Sequence, residues 1–172
     1  MEIRLAANLQ EESIVDGPGF RAVIWTQGCN HHCPGCHNPQ TWSFQGGGLI
    51  PVSEINKQID ALKYHDGITF SGGDPMYQAD ACYEIAKHAK QKGLNIWCYT
   101  GFTYEELIQL NNENINKFLS VIDVLVDGRF VMAERSLSLL FRGSSNQRLI
   151  DMNETRKQNK IILFDEEGYY GR

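Results

Sequence analysis

Short apolar runs alternate with amphipathic segments along most of this 172-residue chain. Five apolar runs are typical of buried strands, at residues 22–26, 68–70, 94–99, 121–126 and 161–164. Three amphipathic segments are typical of helices: one capped by Ser53, one over residues 80–92, and one that begins at a capping box of Thr103 and Glu106. Strands that alternate with helices predict a parallel sheet with crossover connections.

The apolar spacing also predicts which side chains of these helices face the core. We expect the inward positions to be Ile55, Ile59, Leu62, Cys82, Ile85, Ala89, Leu107 and Leu110. Cys82, and Cys98 in a predicted strand, are then best explained as small buried hydrophobic residues.

The length of the chain limits the size of the sheet. A full eight-stranded α/β barrel takes about 250 residues. The sequence therefore predicts an α/β fold with a shortened, open (partial) βα barrel and a parallel sheet of about five or six strands. No repeat or linker indicates a second domain, so we expect one domain over residues 1–172 with its core at about 13–165. Reactants in such folds bind at the carboxyl ends of the strands.

The composition argues against several classes of function. The net charge is −5 and the pI is about 5.5, which does not fit a nucleic-acid-binding protein with a basic surface. No apolar run approaches the roughly 18 residues of a membrane-spanning helix, and residues 1–12 do not resemble a signal peptide. We therefore expect a cytoplasmic protein, in which clustered cysteines bind metal or take part in catalysis more often than they form disulfides.

Three cysteines follow the first predicted strand at C-x3-C-x2-C spacing: Cys29, Cys33 and Cys36. Cysteine thiolates hold iron–sulfur clusters, and a four-iron cubane usually takes four of them. Three ligands would leave one iron open, as metal sites do when they must bind a reactant. The spacing therefore favours a [4Fe–4S] cluster with one open coordination position.

Two alternatives stay open for these cysteines. A zinc site would take its fourth ligand from a neighbouring histidine, which is His31, His32 or His37. Zinc sites usually show a second pair of ligands at short spacing, and the later sequence has no such pair. The cysteines could also be clustered without binding a metal.

Two glycines follow the second predicted strand, in the segment Ser71-Gly72-Gly73-Asp74-Pro75. Glycine lets the backbone approach a ligand closely, with φ angles that other residues avoid. Exposed backbone N–H and C=O groups would suit an amino-acid-like ligand. A Gly-Gly turn is common on its own, and it gains weight here because it lies near the cysteine loop.

The cysteine loop resembles the signature of the radical S-adenosylmethionine superfamily. Further segments are similar to the glycyl-radical activating enzymes, and among these to the activating proteins of anaerobic ribonucleoside-triphosphate reductases. The similar segments are residues 16–21 (DGPGFR), 33–39 (CPGCHNP), 41–42 (TW), 71–75 (SGGDP), 97–102 (WCYTGF), 124–130 (VLVDGRF) and 142–148 (RGSSNQR). Together they span about positions 13 to 150, which is most of the chain.

The resemblance implies a [4Fe–4S] cluster on the three cysteines and S-adenosylmethionine chelated to its open iron. The residues implied to bind S-adenosylmethionine are Gly35, Cys36, His37, Gly72, Gly73, Asp74, Asp127 and Arg129. The Gly-Gly-acid segment contacts the amino group in the superfamily, Asp127 suits the ribose and Arg129 the carboxylate. Asn146 and Arg148 are weaker candidates for holding the nucleoside or the partner protein.

The chain departs from the superfamily pattern at Gly35. Many members carry an aromatic residue directly before the third cysteine, near the adenine. Here the adenine contact would come from the backbone or from another residue, and His37 is a candidate by position. A neutral, hydrogen-bonding role for His37 is an equal alternative.

The resemblance also implies a reaction. An electron, supplied in this family by reduced flavodoxin or a similar donor, enters the cluster and cleaves S-adenosylmethionine to methionine and a 5′-deoxyadenosyl radical. That radical removes a hydrogen atom from a glycine of the large reductase subunit, so no protein side chain is expected to be catalytic beyond the cluster and S-adenosylmethionine. Residues 16–21 would face the substrate.

Three rival functions are weighed against this one. A radical enzyme for a small molecule, similar to 7-carboxy-7-deazaguanine synthase, would also be short, but its motifs differ from CPGCHN and RGSSNQ. A pyruvate formate-lyase activase would be longer. A zinc-binding module without catalysis belongs to a different class, and its metal would distinguish it.

Overall fold

The computed structural model describes residues 1–166 of the chain. In this range eight strands form one sheet: β1 Glu2–Leu5, β2 Gln10–Ser13, β3 Arg21–Thr26, β4 Gly48–Pro51, β5 Gly67–Gly72, β6 Asn95–Tyr99, β7 Val124–Asp127 and β8 Arg148–Asp151. The same residues form five α-helices: α1 Val52–Asp60, α2 Ala79–Gln91, α3 Tyr104–Leu110, α4 Glu113–Leu119 and α5 Met152–Gln158. Short 3-10 helices lie at Pro39–Thr41, Pro75–Gln78 and Met132–Glu134.

The sheet is mixed, and its centre is parallel. Strands β3, β5, β6 and β7 are neighbours in that order and run parallel. β1 and β2 pair antiparallel with β3, β4 pairs antiparallel with β1, and β8 pairs antiparallel with β7. This corrects the predicted parallel sheet of five or six strands: the described sheet has eight strands, of which four are parallel. The added strands are short and only partly buried, so they lack a continuous apolar run.

One face of the parallel strands packs against helices. Ile24, Phe70, Cys98 and Leu125 of successive strands are fully buried in this core. The ring of Phe118 in α4 packs edge-on against Phe70, with 5.2 Å between the ring centroids. This core holds the four strands together, so that their carboxyl ends lie at one edge of the sheet.

The other face of the sheet is covered by loops. Trp97, Val126 and Leu149 form a second buried cluster there. Phe141 and Phe164 pack edge-on against the Trp97 ring, each with 5.3 Å between centroids. Part of this loop face is therefore covered by segments that lie outside regular elements.

Two helix predictions are confirmed. α2 covers almost all of the segment predicted over residues 80–92, and its three predicted inward residues are fully buried. α3 begins with the predicted capping box, in which the Thr103 hydroxyl accepts a hydrogen bond from the backbone N–H of Glu106 at 3.1 Å. In both helices the local sequence pattern was sufficient.

Three details of the helix predictions were wrong. Ser53 lies inside the first turn of α1, whose N-cap is Pro51 and has no side-chain hydrogen bond. Leu62 lies beyond the end of α1, although its predicted position against the core is borne out, since it is partly buried there. Leu110 is 54% exposed, because α3 ends there and Asn111 follows in the left-handed conformation.

The predicted strands at 22–26, 68–70, 94–99 and 121–126 correspond to β3, β5, β6 and β7, although β7 begins only at Val124. The predicted last strand at 161–164 is reduced to an isolated bridge between Ile150 and Leu163. Within residues 1–166 we find no helix with the length and apolar character needed to cross a membrane. Residues 167–172 of the predicted domain lie outside the described residues.

Candidate metal centre

Loops that follow the four parallel strands meet at one edge of the sheet. The cysteine loop, residues 27–42, follows β3, while Asp74, Thr100 and Arg129 follow β5, β6 and β7. The backbone N–H of Asp74 donates to the carbonyl of Gly28 at 2.9 Å, which joins the second loop to the start of the first. The fold therefore brings together segments that are distant in sequence, as expected for parallel strands.

The cysteine loop is closed by its own hydrogen bonds. The N–H of Cys29 donates to the carbonyl of Trp42 at 3.0 Å, which joins the two ends of the loop. Between them, the N–H of Cys36 donates to the carbonyl of Cys33 at 3.0 Å. The three thiols are thus carried by a closed segment.

A backbone N–H donor faces each of these thiols. Asn38 donates a hydrogen bond to Cys36, whereas the backbone N–H groups of His31 and Phe130 lower the pKa of Cys29 and of Cys33. The N–H of Asn38 lies 3.4 Å from its sulfur. A hydrogen bond to the charged form of a group favours that form, so these donors favour thiolates.

Burial acts in the opposite direction on two of the thiols. Burial raises the pKa of the Cys29 thiol to about 11, although the N–H of His31 offsets part of this effect. Burial also raises the pKa of Cys33. A bound metal ion would reverse this balance, because a coordinating thiol loses its proton.

This donor set fits an iron–sulfur cluster. Three free thiols lie on one loop, and each faces a hydrogen-bond donor of the kind that surrounds cluster ligands. In the part of the chain that the structure describes, no three His, Cys, Asp or Glu side chains converge to hold a metal ion. The thiolates of a cubane bind to separate iron atoms, so we judge the fit from the donor chemistry.

Gly72 and Gly73 allow a close contact between two backbone segments. Gly72 has a φ of 100°, which side-chain-bearing residues rarely adopt. A Cβ on Gly73 would lie 2.5 Å from the carbonyl oxygen of Gly28. The N–H of Gly73 donates to the carbonyl of Thr26 at 2.8 Å. The glycines therefore seat the end of β5 against the cysteine loop, and their contact with a cofactor stays a prediction.

The carboxylate of Asp74 is buried and already hydrogen-bonded within the protein. The Thr100 hydroxyl donates to its two oxygens at 3.0 and 2.9 Å, and the N–H of Gly101 donates at 2.9 Å. The N–H of Met76 donates at 3.0 Å, and the Nε2 atom of His31 lies at 2.7 Å. The side chain ties the cysteine loop to the ends of β5 and β6, and its predicted contact with a cofactor stays a prediction.

Asp127 and Arg129 have partners inside the protein. Asp127 is 1% exposed, accepts from Arg148 Nε at 3.0 Å and caps α3 through the N–H of Tyr104 at 2.8 Å. Arg129 forms an exposed ion pair with Glu106 at 3.0 Å, which lowers the pKa of that carboxyl. A carboxylate ligand would have to replace Glu106 as the partner of Arg129.

The segment at 142–148 holds the loop that follows β7. Gln147 Nε2 donates to the carbonyl of Gly128 at 3.0 Å, and Asn146 Nδ2 donates to that of Arg129 at 2.8 Å. The next residue of that loop is Phe130, whose backbone N–H lowers the pKa of the Cys33 thiol. The RGSSNQR motif therefore positions part of the metal site, and a role for Asn146 in holding nucleoside or partner stays a prediction.

Two cavities differ in their position along the strands. A cavity of about 460 Å³ opens beside the cysteine loop, and its lining includes Val15, Asp16, Trp25, His37, Ser71, Tyr99, Phe130 and Arg142. A larger one of about 750 Å³ lies at the amino ends of β5–β7, lined in part by Asp66, Asn95 and Asp123. The smaller cavity has the size of a typical small-molecule site, which is roughly 300–1,000 Å³. It is the candidate site, because only it borders the cysteine loop.

Of the predicted adenine neighbours, His37 lines this cavity, whereas Gly35 and Cys36 are not part of its lining. The His37 ring is 5.3 Å from the ring of Phe130, measured between centroids. Gly35 has a φ of 78°, and a Cβ there would collide with the side chain of Met132. The glycine before the third cysteine is therefore explained by its left-handed backbone conformation, and adenine binding by Gly35, Cys36 and His37 stays a prediction.

Arg21 holds the segment that precedes β3 against the loop face. The guanidinium is fully buried and donates to Thr69 Oγ1 at 2.8 Å and to the carbonyl of Pro18 at 3.0 Å. Burial lowers the pKa of Arg21 to about 10, and the group lies 5.7 Å from the centroid of the Trp97 ring. Asp16, at the other end of this segment, lines the cavity, whereas Pro18 and Gly19 line the larger one, and the substrate-facing role of residues 16–21 stays a prediction.

Sequence reasoning missed several contacts of the site. The residues concerned are His31 as a partner of Asp74, Thr100 as a second donor to it, and Glu106 as the partner of Arg129. His31 and Asp74 are 43 residues apart, and no local pattern indicates such a pair. His31 was considered only as a zinc ligand.

Comparison with known proteins decides the family. A protein-family model described as a 4Fe-4S single cluster domain matches residues 15–150. The anaerobic ribonucleoside-triphosphate reductase-activating protein of Escherichia coli K12 is 38% identical over 143 residues, which cover 78% of this chain and 90% of that protein. The protein of that name from Salmonella typhi is 37% identical over 142 residues, with coverage of 78% and 90%.

This chain belongs to the family of anaerobic ribonucleoside-triphosphate reductase-activating proteins. A further member, from Enterobacteria phage T4, is 35% identical over 144 residues, which cover 78% of this chain and 86% of the phage protein. The segment matched by the 4Fe-4S model contains the three cysteines of the loop and every predicted binding residue. The solved structure of QueE from Escherichia coli covers 60% of this chain and 54% of its own at a TM-score of 0.46 and 17% identity.

Proposed function

We propose that this protein activates an anaerobic ribonucleoside-triphosphate reductase through a [4Fe–4S] cluster held by Cys29, Cys33 and Cys36. The supporting observation is the closed cysteine loop, whose thiols each face a backbone N–H beside the 460 Å³ cavity. The relatives carry the name of reductase-activating proteins, which supplies the partner. The chain then forms one radical S-adenosylmethionine domain over residues 1–172, with its sheet as a shortened, open barrel.

S-adenosylmethionine is the second cofactor of the proposal. When bound, the cluster and S-adenosylmethionine supply a one-electron reductive cleavage that ends in removal of a hydrogen atom from a glycine of the reductase. The protein's own contribution is binding, orientation and exclusion of water. The reducing electron comes from reduced flavodoxin or a similar donor.

The chain's residues take different parts in binding the cosubstrate. The backbone at Gly72 and Gly73 receives its amino group, and Arg129 exchanges Glu106 for its carboxylate. Arg129 suits this exchange, because its pair with Glu106 is exposed and a guanidinium binds a carboxylate through two hydrogen bonds. Asp74 positions the glycine segment through its hydrogen bonds to Thr100 and Gly101 in the loop after β6.

A second set of residues would hold the nucleoside end of the cosubstrate. The ring of His37, which lines the cavity beside Phe130, borders the adenine, and the backbone at Gly35 and Cys36 precedes it in the same loop. Asp127 would bind the ribose. Its carboxylate also accepts hydrogen bonds from Arg148 and from the N–H of Tyr104, so it fixes the start of α3 as well.

The glycine-bearing loop of the reductase enters the same cavity. Its lining includes Val15 and, from the segment before β8, Leu139, Phe141 and Arg142. Val15 is 71% exposed, so this lining offers apolar surface to a protein substrate. The reductase thereby excludes water from the reacting centre.

Anaerobic reconstitution tests the proposal in three steps. The protein should take up iron and sulfide, release methionine and 5′-deoxyadenosine from S-adenosylmethionine with a reductant, and then produce a glycyl signal on the reductase in electron paramagnetic resonance. Reactions without S-adenosylmethionine serve as the control. A colourless protein with one zinc, or cofactor cleavage without any glycyl signal on the reductase, would refute it.

A further inference from the structure

Two adjacent histidines of the cysteine loop have different surroundings. The side chain of His31 is 5% exposed, and its Nε2 atom lies 2.7 Å from Oδ2 of Asp74. His32 is exposed and stacks on Trp42, with 4.6 Å between centroids and 15° between the ring planes. His31 therefore joins the loop to the strand ends, whereas His32 stacks on a residue of its own loop.

The ring of His31 is held on more than one side. It packs edge-on against Phe102, with centroids 4.6 Å apart at 79°. A Cβ on Gly101 would lie 2.5 Å from the Cδ2 atom of the ring, so only glycine leaves room for it there. The seat of His31 is thus formed by the loop that follows β6.

The hydrogen bond to Asp74 has a defined direction. A carboxylate accepts hydrogen bonds, and Asp74 already accepts them from Thr100, Gly101 and Met76. The Nε2 atom of His31 must therefore be the donor. Because both side chains are nearly inaccessible to water, the bond is not in competition with solvent.

The backbone of His31 is also in contact with the metal site. Its N–H lies two residues from Cys29, the most buried of the three predicted ligands, and acts on that thiol as a hydrogen-bond donor that lowers its pKa. Hydrogen bonds to the sulfurs are one of the factors that set the reduction potential of an iron–sulfur cluster. The side chain of His31 restrains the position of this N–H, because its Nε2 atom is hydrogen-bonded to Asp74.

We propose that His31 is a positioning residue, whose bond to Asp74 holds its own N–H against the Cys29 sulfur and so raises the reduction potential of the cluster. This inference rests on the proposed function, because it requires a cluster at this loop. Loss of the side-chain bond would loosen the N–H donor without removing a ligand. The reduced cluster would then be less stable, because the extra negative charge on its sulfurs would lose a donor.

The test compares His31→Leu with His31→Gln, whose amide can donate from the position of Nε2. The matched control is His32→Asn, since asparagine tolerates the left-handed φ of 51° at that position. Iron and sulfide content should equal that of the wild type in all three. At a fixed solution potential, the reduced fraction measured by electron paramagnetic resonance should fall about fivefold in His31→Leu, the effect of one hydrogen bond. It should stay within about twofold in the other two variants.

A second variant covers the case in which His31→Leu does not assemble a cluster. Gly101→Ala keeps every ligand and donor but displaces the His31 ring, and should lower the reduced fraction in the same direction. In the apoprotein, the Nε2–H resonance of His31 should exchange slowly with water and disappear in Gly101→Ala. An unchanged reduced fraction in both His31→Leu and Gly101→Ala, or an equal loss in His32→Asn, would overturn the inference while the proposed function stands. A wild-type protein that binds no iron or sulfide would overturn both.

Discussion

The five cysteines of this chain fall into two groups with opposite chemistry. Cys29, Cys33 and Cys36 lie on a loop at the carboxyl ends of the strands, and a backbone N–H faces each sulfur. Cys82 and Cys98 lie on the helix face of the sheet and are fully buried. Burial raises the pKa of both core thiols well above the usual value.

The direction of the hydrogen bonds separates the two groups. The core thiols are placed to donate, Cys82 to the carbonyl of Pro75 at 3.7 Å and Cys98 to that of Tyr99 at 3.6 Å. The loop thiols are placed to accept. Neutral thiols can donate and thiolates can only accept, so the backbone around each cysteine determines which form it stabilises. Side-chain identity is the same in both groups, and only the surroundings differ.

The strongest test of this comparison removes one thiol from each group. Cys33→Ala should lose nearly all iron and acid-labile sulfide after anaerobic reconstitution, because a cubane with two protein ligands is not held. Cys98→Ala should keep the wild-type content. Equal metal content in the two variants would contradict the assignment of Cys33 as a ligand.

Alkylation of the folded apoprotein sharpens the comparison. Cys33 and Cys36 are partly exposed and should react with iodoacetamide, whereas Cys82 and Cys98 should react only after unfolding. The rate at Cys29 should keep rising up to about pH 11, since the thiolate is the nucleophile and burial raises its pKa to that value. Mass spectrometry of digested samples gives the rate at each residue. Labelling of Cys82 as fast as Cys33 would show that the core is not closed.

A glycine substitution tests the seat of the cysteine loop without touching a thiol. Gly73→Ala should destabilise the apoprotein by about 1–3 kcal/mol, because its Cβ meets the backbone of Gly28. Gly48→Ala is the matched control, since a Cβ there meets nothing within 4 Å, and should change stability by less than about 0.5 kcal/mol. Urea unfolding measures both. Equal stability of the two variants would argue against the close approach of β5 to the loop.

The smallest effect is expected for a core thiol. Cys82→Ala should cost about 1 kcal/mol in the free energy of unfolding, for the small cavity that it leaves in α2. Iron and sulfide content should not change. A loss of cluster in this variant would mean that the two groups of cysteines are coupled, and the comparison drawn above would fail.

Local patterns were sufficient for the elements with a continuous signal. The apolar runs identified β3, β5, β6 and β7, and the periodic face identified α2. Four strands, β1, β2, β4 and β8, were missed, because a four-residue antiparallel strand has too short a periodicity to stand out from a loop. The capping box at Thr103 was found, whereas the cap at Ser53 was wrong because Pro51 already precedes the first turn of α1.

The residues of the candidate site also divide into those with a local sequence signal and those without one. The cysteine spacing is local, and the three thiols could be named from it. The partners of Asp74, Asp127 and Arg129 could not, because each comes from a different strand end or helix. A charged residue after a strand looks the same in sequence whether it is free for a ligand or already paired.

The sequence alone determined which residues have metal-binding chemistry and which segments form the parallel strands, since both depend on residue type and short spacing. Only the tertiary structure decided which thiols accept hydrogen bonds, which carboxylates are already paired and which histidine turns inward. Those properties depend on backbone groups and side chains that approach one another across different strands. Contacts of that kind are set by the packing of the whole sheet and leave no pattern within any one segment.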